Sequence, residues 1–113
     1  MTNCIFCKIG RDEIPSKKYY EDENFFIIAD IEPIATKHYL LIPKRHYKCI
    51  AEMTEEDGQI LSGALKKLAE IAPQLGLGGG YRLVINQGDD AGQSVPHLHV
   101  HVLGGKKLSW DKV

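Results

Sequence analysis

His97-Leu98-His99-Val100-His101-Val102 is the stretch on which the reading of this chain turns. Successive side chains of an extended strand point to opposite faces. Leu98, Val100 and Val102 therefore form an apolar face turned toward a core, and His97, His99 and His101 line the other face. A lone histidine in a strand is usually a packed polar residue. Three at every second position, backed by apolar residues, point to chemistry. Alternate strand imidazoles can chelate a metal, or one of them can attack phosphorus as a nucleophile.

Upstream, residues 86–96 read Asn-Gln-Gly-Asp-Asp-Ala-Gly-Gln-Ser-Val-Pro, a long polar loop. Gly92, Gln93 and Ser94 can present backbone N–H groups, an amide and a hydroxyl to a phosphate. In isolation such a loop would read as an ordinary connection rich in turn formers. Leading straight into the histidines, it reads as an anion cradle. Gly78-Gly79-Gly80 is a flexible connector, because no Lys-Ser/Thr follows it as a phosphate loop requires.

Working outward, strands are predicted over 18–21, 25–30, 38–42, 81–86 and 97–103. Asp22-Glu23-Asn24 forms a turn between the first two, and Pro43 ends the third. The clearest helix covers 54–72. Thr54 caps it, Glu55, Glu56 and Asp57 suit its positive end, and Leu61, Ala64, Leu65, Leu68 and Ala72 recur at helical spacing. Pro73 and Gly76 stop it. Five strands, one main helix and a short N-terminal segment, without regular βαβ alternation, predict an α+β domain with an antiparallel sheet. Its 113 residues suffice for one domain, spanning 1–113.

The formal net charge of -1 argues against a nucleic-acid partner, which calls for a basic face. No apolar run approaches the ~20 residues needed to cross a bilayer, and residues 1–7 lack the pattern of a signal peptide. Three cysteines, an odd number, fit a reducing cytoplasmic location better than a disulfide framework. Cys4 and Cys7 have the two-residue spacing of a metal clip. Only three residues precede Cys4, which is too few for the strand that a thioredoxin-like redox pair needs. As half of a zinc site the pair needs two more ligands. His46 and Cys49 also have clip spacing, although a cysteine such as Cys49 is more often a small buried apolar residue.

The ordered set of these features resembles the histidine triad family, over nearly the whole chain. The resemblance rests on residues 86–101 with the following Val102-Leu103-Gly104-Gly105. It also rests on Cys4-Ile5-Phe6-Cys7-Lys8-Ile9, on Ala29-Asp30-Ile31 with Pro33, on Leu41-Ile42-Pro43-Lys44-Arg45-His46, and on the segment ending at Trp110. Within the family it is similar to the purine nucleoside phosphoramidases, the protein kinase C-interacting-protein-like branch. The resemblance implies that His99, the middle histidine, is the nucleophile, and that a nucleotidyl-histidine forms and is hydrolysed by water. It casts His101 as a phosphate and leaving-group contact, Ser94 as a hydroxyl near the leaving group, Gln93 as an amide beside the phosphate with Gly92, and Asn86 as a neighbour of ribose and phosphate. Asp30 would bond the ribose hydroxyls. Ile31, Phe6 and Ile9 would form the slot for the base, or they are plain core. A histidine at 101, where related nucleotidyl transferases carry glutamine, implies a hydrolase.

Resemblance to zinc-containing members adds His46 and His97 to Cys4 and Cys7 as ligands of a structural zinc, with Cys49 as the competing fourth ligand. It also implies a homodimer formed through the main helix and the fourth strand, with Trp110 reaching toward the partner's substrate site. The expected substrates are purine nucleoside 5'-phosphoramidates such as AMP-amines, and aminoacyl-AMP. The alternatives are a dinucleoside polyphosphate hydrolase and a non-catalytic nucleotide sensor or interaction protein.

Overall fold

Phe25-Phe26-Ile27-Ile28-Ala29 and Tyr39-Leu40-Leu41-Ile42 are continuous apolar runs, not alternating ones, which is the pattern of strands covered on both faces. A computed structural model, which describes residues 3–110, places them side by side in the middle of a sheet. The strands are β1 (Tyr20–Glu21), β2 (Phe25–Ala29), β3 (Lys37–Pro43), β4 (Tyr81–Val84) and β5 (Val100–Gly104). Their order in space is β1-β2-β3-β5-β4, and every neighbouring pair is antiparallel. The fold is thus the expected α+β arrangement, a five-stranded antiparallel sheet with one main helix.

Helix α2 (Glu55–Ile71) covers one face of the sheet. Its Thr54 cap is reciprocal. The Thr54 hydroxyl accepts from the Asp57 N–H at 3.1 Å, and the Asp57 carboxylate accepts from the Thr54 N–H at 3.0 Å. Arg45, just past β3, donates to the same buried carboxylate through Nε at 2.7 Å, so the helix start is tied to the sheet. Leu61, Ala64 and Leu68 then bury one stripe against Phe25, Ile27, Tyr39, Leu41, Val100 and Val102.

The opposite face carries Phe26, Ile28, Leu40 and Ile42, covered by Phe6 and Ile9 of a short helix, α1 (Ile5–Gly10). Periodicity could not reveal α1, because six residues make fewer than two turns. The Cys4 thiol caps it by accepting from the Cys7 N–H at 3.4 Å.

β5 lies between β3 and β4, so its backbone is bonded on both sides. The expected strand over 97–103 is displaced to Val100–Gly104. Pairing stops at Leu41↔Val100 and Val84↔His101, and the Leu98 N–H turns instead to the Tyr47 carbonyl at 2.8 Å. The alternation of side chains nevertheless continues back through 97. Leu98, Val100 and Val102 join the core under α2, while Phe6 from the other layer meets the rings of His97 and His99. At the far end of β5, a Cβ on Gly104 would lie 2.7 Å from Leu77 Cδ2 and 3.0 Å from the Gly80 carbonyl, a contact that only glycine avoids. Among the described residues, no helix is long and apolar enough to cross a membrane.

Candidate functional site

The three histidines emerge from β5, which is bonded on both sides, and from its approach, beside a cavity of about 730 Å³. His99 and His101 line it, with their ring centroids 5.1 Å apart. His97 is fully buried beneath, out of the cavity's wall.

The tautomers follow from fixed partners. His99 Nδ1 lies 2.8 Å from the His97 carbonyl, which can only accept. Nδ1 therefore carries the proton, and Nε2 presents a lone pair. His97 Nε2 lies 2.7 Å from the Pro43 carbonyl, so its proton is on Nε2 and its Nδ1 lone pair faces the N-terminal cysteines. Burial pushes the His97 imidazole down to about 4, which keeps it neutral.

A fourth histidine belongs to the site. His38, at the start of β3, is buried and faces the cavity beside His101. The Ile34 N–H donates to His38 Nδ1 at 3.2 Å, which places the His38 proton on Nε2. Nε2–H then donates to His101 Nδ1 at 2.9 Å, so the His101 proton is on Nε2. Asp30 Oδ2 lies 3.3 Å from His38 Nε2 and 3.9 Å from His101 Nδ1. Burial lowers both imidazoles below their ordinary value. The neighbouring His99 and His38 lower His101 further, and Asp30 opposes the shift in each. The result is a chain of oriented neutral rings that ends in a donor, His101 Nε2–H.

In the sequence His38 reads only as the first residue of a strand. The signal was its register. Leu40 pairs with His101, and His38 pairs with Leu103, so His38 stands diagonal to His101 on one face. That pairing joins residues 63 apart in sequence and is invisible without the sheet.

The remaining expected residues divide. Asp30, Ile31, Asn86 and Ser94 line the cavity, Ile31 as a rim residue that is 94% exposed. Phe6 and Ile9 line it from α1 while also packing in the core. Gly92 and Gln93 are not in its lining. The Gln93 amide braces the loop, with Nε2 donating to the Lys48 carbonyl at 2.8 Å and the Val95 carbonyl at 3.2 Å, and Oε1 accepting from the Gly88 N–H at 3.0 Å. Ser94 is held at the cavity by this brace.

Cys4, Cys7, His46 and His97 converge beside the cavity. Cys4 Sγ lies 3.3 Å from His97 Nδ1, Cys7 Sγ lies 3.3 Å from His46 Nδ1 and 3.6 Å from His97 Nδ1, and the two Nδ1 atoms are 3.2 Å apart. Zinc bonds of ~2.0–2.3 Å in a tetrahedron give ligand-to-ligand edges of roughly 3.3–3.8 Å, so the set has the right size and chemistry for that ion. Cys49, which precedes a 3-10 turn at Ile50–Glu52, is outside the cluster.

Comparison with known proteins agrees with this architecture. Residues 3–112 match the family model described as scavenger mRNA decapping enzyme C-terminal binding. An uncharacterised HIT-like protein of Synechocystis is 46% identical over 106 residues, which cover 94% of this chain and 93% of that protein. The crystal structure of a HIT family hydrolase from Legionella pneumophila superposes with a TM-score of 0.90 at 40% identity, covering 98% of this chain and 100% of that one. A zinc-bound histidine triad family protein from Mycobacterium smegmatis superposes with a TM-score of 0.81 at 36% identity, covering 96% of this chain and 81% of that one. With its histidines on one face of β5 and its approach, and this likeness over nearly its full length, the chain belongs to the histidine triad family.

Proposed function

We propose that this protein is a hydrolase that cleaves the P–N or mixed-anhydride bond of purine nucleoside 5'-phosphoramidates and aminoacyl-AMP. The observation that carries the reading is the 2.8 Å bond from His99 Nδ1–H to the His97 carbonyl, which makes Nε2 the lone-pair nitrogen of the neutral ring in the wall of the cavity. His99 Nε2 attacks the α-phosphorus in line. The bond from phosphorus to the leaving amine or acyl oxygen breaks as the Nε2–P bond forms. His101 Nε2–H stands beside His99 to give its proton to the departing amine and regains one from the water of the second step, and His38 with Asp30 fixes the ring that offers it. Ser94 adds a hydroxyl on the same wall. Water then displaces His99 from the nucleotidyl intermediate, releasing the nucleoside monophosphate. Asp30 and Asn86 supply polar groups for the ribose, and Ile31, Phe6 and Ile9 supply an apolar slot for the base.

Cys4, Cys7, His46 and His97 would hold one structural zinc, which when bound ties the N-terminal segment to the sheet. The zinc-bound mycobacterial relative supports this assignment. A homodimer through β4 and α2 accords with β4 being an edge strand on which Leu83 is 40% exposed.

Turnover of a fluorogenic adenosine phosphoramidate, with diadenosine tri- and tetraphosphate alongside, tests the function. The reading requires a higher kcat/KM on the phosphoramidate. Preference for the dinucleoside polyphosphates, or nucleotide binding without turnover, would replace it.

A further inference from the structure

Helix α1 depends on what it packs against, with Phe6 and Ile9 laid on Phe26, Ile28, Leu40 and Ile42. It has six residues, far below the length at which a helix holds in water without tertiary support. The backbone bonds of residues 4–14 that leave the regular ladder all close within that segment: Lys8 to Cys4, Arg11 to Cys7, Asp12 to Ile9, and Glu13 and Ile14 to Lys8. None of these reaches the sheet. Side-chain polar contacts tie this stretch to later segments at two places: the Asp12 carboxylate accepts from Lys18 Nζ at its end, and around the helix itself the thiols meet the histidines, Cys4 Sγ with His97 and Cys7 Sγ with His46 and His97.

Yet α1 carries one wall of the cavity, through Ile5, Phe6 and Ile9. Phe6 is the centre of the connection. It lies between the two cysteines in sequence and meets the His97 ring edge-on at 5.8 Å and the His99 ring edge-on at 5.2 Å. His97 in turn offers its Nδ1 to the thiols and its carbonyl to His99 Nδ1. Two routes therefore run from the cysteine cluster to the nucleophile. One passes through the Phe6 ring and the other through the His97 backbone.

We propose that the Cys4–Cys7 clip, by fixing Phe6 and His97 when metal is bound, positions the His99 ring and holds the α1 wall of the nucleotide cavity, so that nucleotide affinity and nucleophile orientation follow metal occupancy. Phe6 is in this respect a positioning residue, distinct from its share in the base slot. The inference rests on the zinc and nucleotide readings given above. The metal stands outside the reaction itself, because His99 lines the cavity and is not one of the four converging ligands.

The test compares protein purified without chelator with the same protein stripped by a chelator and with the Cys4→Ser/Cys7→Ser variant. AMP binding is measured by calorimetry and the His99 Nδ1–H signal by nitrogen-edited NMR. Removal of zinc is expected to weaken AMP binding about tenfold, a 1.4 kcal/mol change, and to shift or broaden the Nδ1–H signal, while amide protection in β3, β5 and α2 persists. Zinc-loaded Phe6→Leu provides a second measurement that does not depend on stripped protein remaining folded. It is expected to retain its zinc and still show the altered His99 signal and weakened AMP binding, with Phe6→Tyr restoring the signal. Unchanged AMP affinity and an unchanged signal, in the stripped protein or in Phe6→Leu, would overturn the coupling while leaving the zinc and nucleotide readings standing. Absence of zinc from protein never exposed to chelator would overturn the zinc reading and this inference with it. Absence of AMP binding in the zinc-loaded protein would overturn the nucleotide reading.

Discussion

At the scale of single residues, the site is an arrangement of protons. Each of the imidazoles of His38, His97, His99 and His101 has its tautomer set by a backbone group or by a ring that a backbone group has set. His99→Ala should lower kcat by at least ~10³-fold while AMP still binds, because the lost interaction is made along the reaction path. Loss of binding in step with activity would instead mark His99 as a ground-state contact. The neighbouring pair, His38 and His101, makes stability depend on pH. Their folded values are lowered from the unfolded imidazole value of ~6.5. Below that pH the unfolded chain takes up protons that the folded chain refuses. Their contribution is therefore complete above ~6.5 and declines as pH falls toward the lowered values. Melting temperatures recorded from about pH 7 to about pH 5 should fall less steeply for His38→Gln than for the wild type. Equal slopes would show that His38 keeps an ordinary affinity for protons in the fold.

At the scale of elements, the two helices are anchored by opposite means. α2 is fixed by a reciprocal cap and an apolar stripe, both written in consecutive sequence. Thr54→Ala should cost about 1 kcal/mol in chemical denaturation, and Asp57→Ala should cost more, since Asp57 also holds Arg45. If Asp57→Ala costs no more than Thr54→Ala, the Arg45 tie contributes nothing. α1 depends on residues distant in sequence, and Cys4→Ser/Cys7→Ser should lose zinc and melt at lower temperature; full zinc retention by metal analysis would place the ion elsewhere. This contrast explains what was legible beforehand. Thr54, Asp57 and the Leu61, Ala64, Leu68 stripe announce α2 through local spacing, and strand alternation alone put His97, His99 and His101 on one face. The start of β5 could not be read, because the Leu98 N–H bonds to Tyr47 rather than extending the ladder. His38 and the bracing of Gln93 were hidden for a related reason. The His38–His101 contact and the Gln93–Lys48 bond each join segments that only the folded sheet brings together.

At the scale of the whole molecule, the sheet order puts the histidine strand β5 inside the sheet and leaves β4 at its edge. Beyond that edge the C-terminal segment is held by Arg82, whose Nη1 donates to the Ser109 carbonyl at 2.8 Å and whose guanidinium lies 5.4 Å from the Trp110 ring centroid. Trp110 itself remains 80% exposed, the condition of a side chain available to a second subunit. Sedimentation at micromolar concentration should show a dimer, and Leu83→Asp should shift it to monomer by placing charge on the β4 edge. A wild-type monomer at that concentration would contradict the assembly. The proposed chemistry turns on one event, a bond between His99 Nε2 and the α-phosphorus. Rapid quenching with radiolabelled AMP-amide measures it most directly. An acid-labile nucleotidyl-protein that builds up within the first turnover and is missing in His99→Ala is the predicted result; full turnover with no labelled protein at any time, together with inversion at a chiral phosphorus, would contradict it.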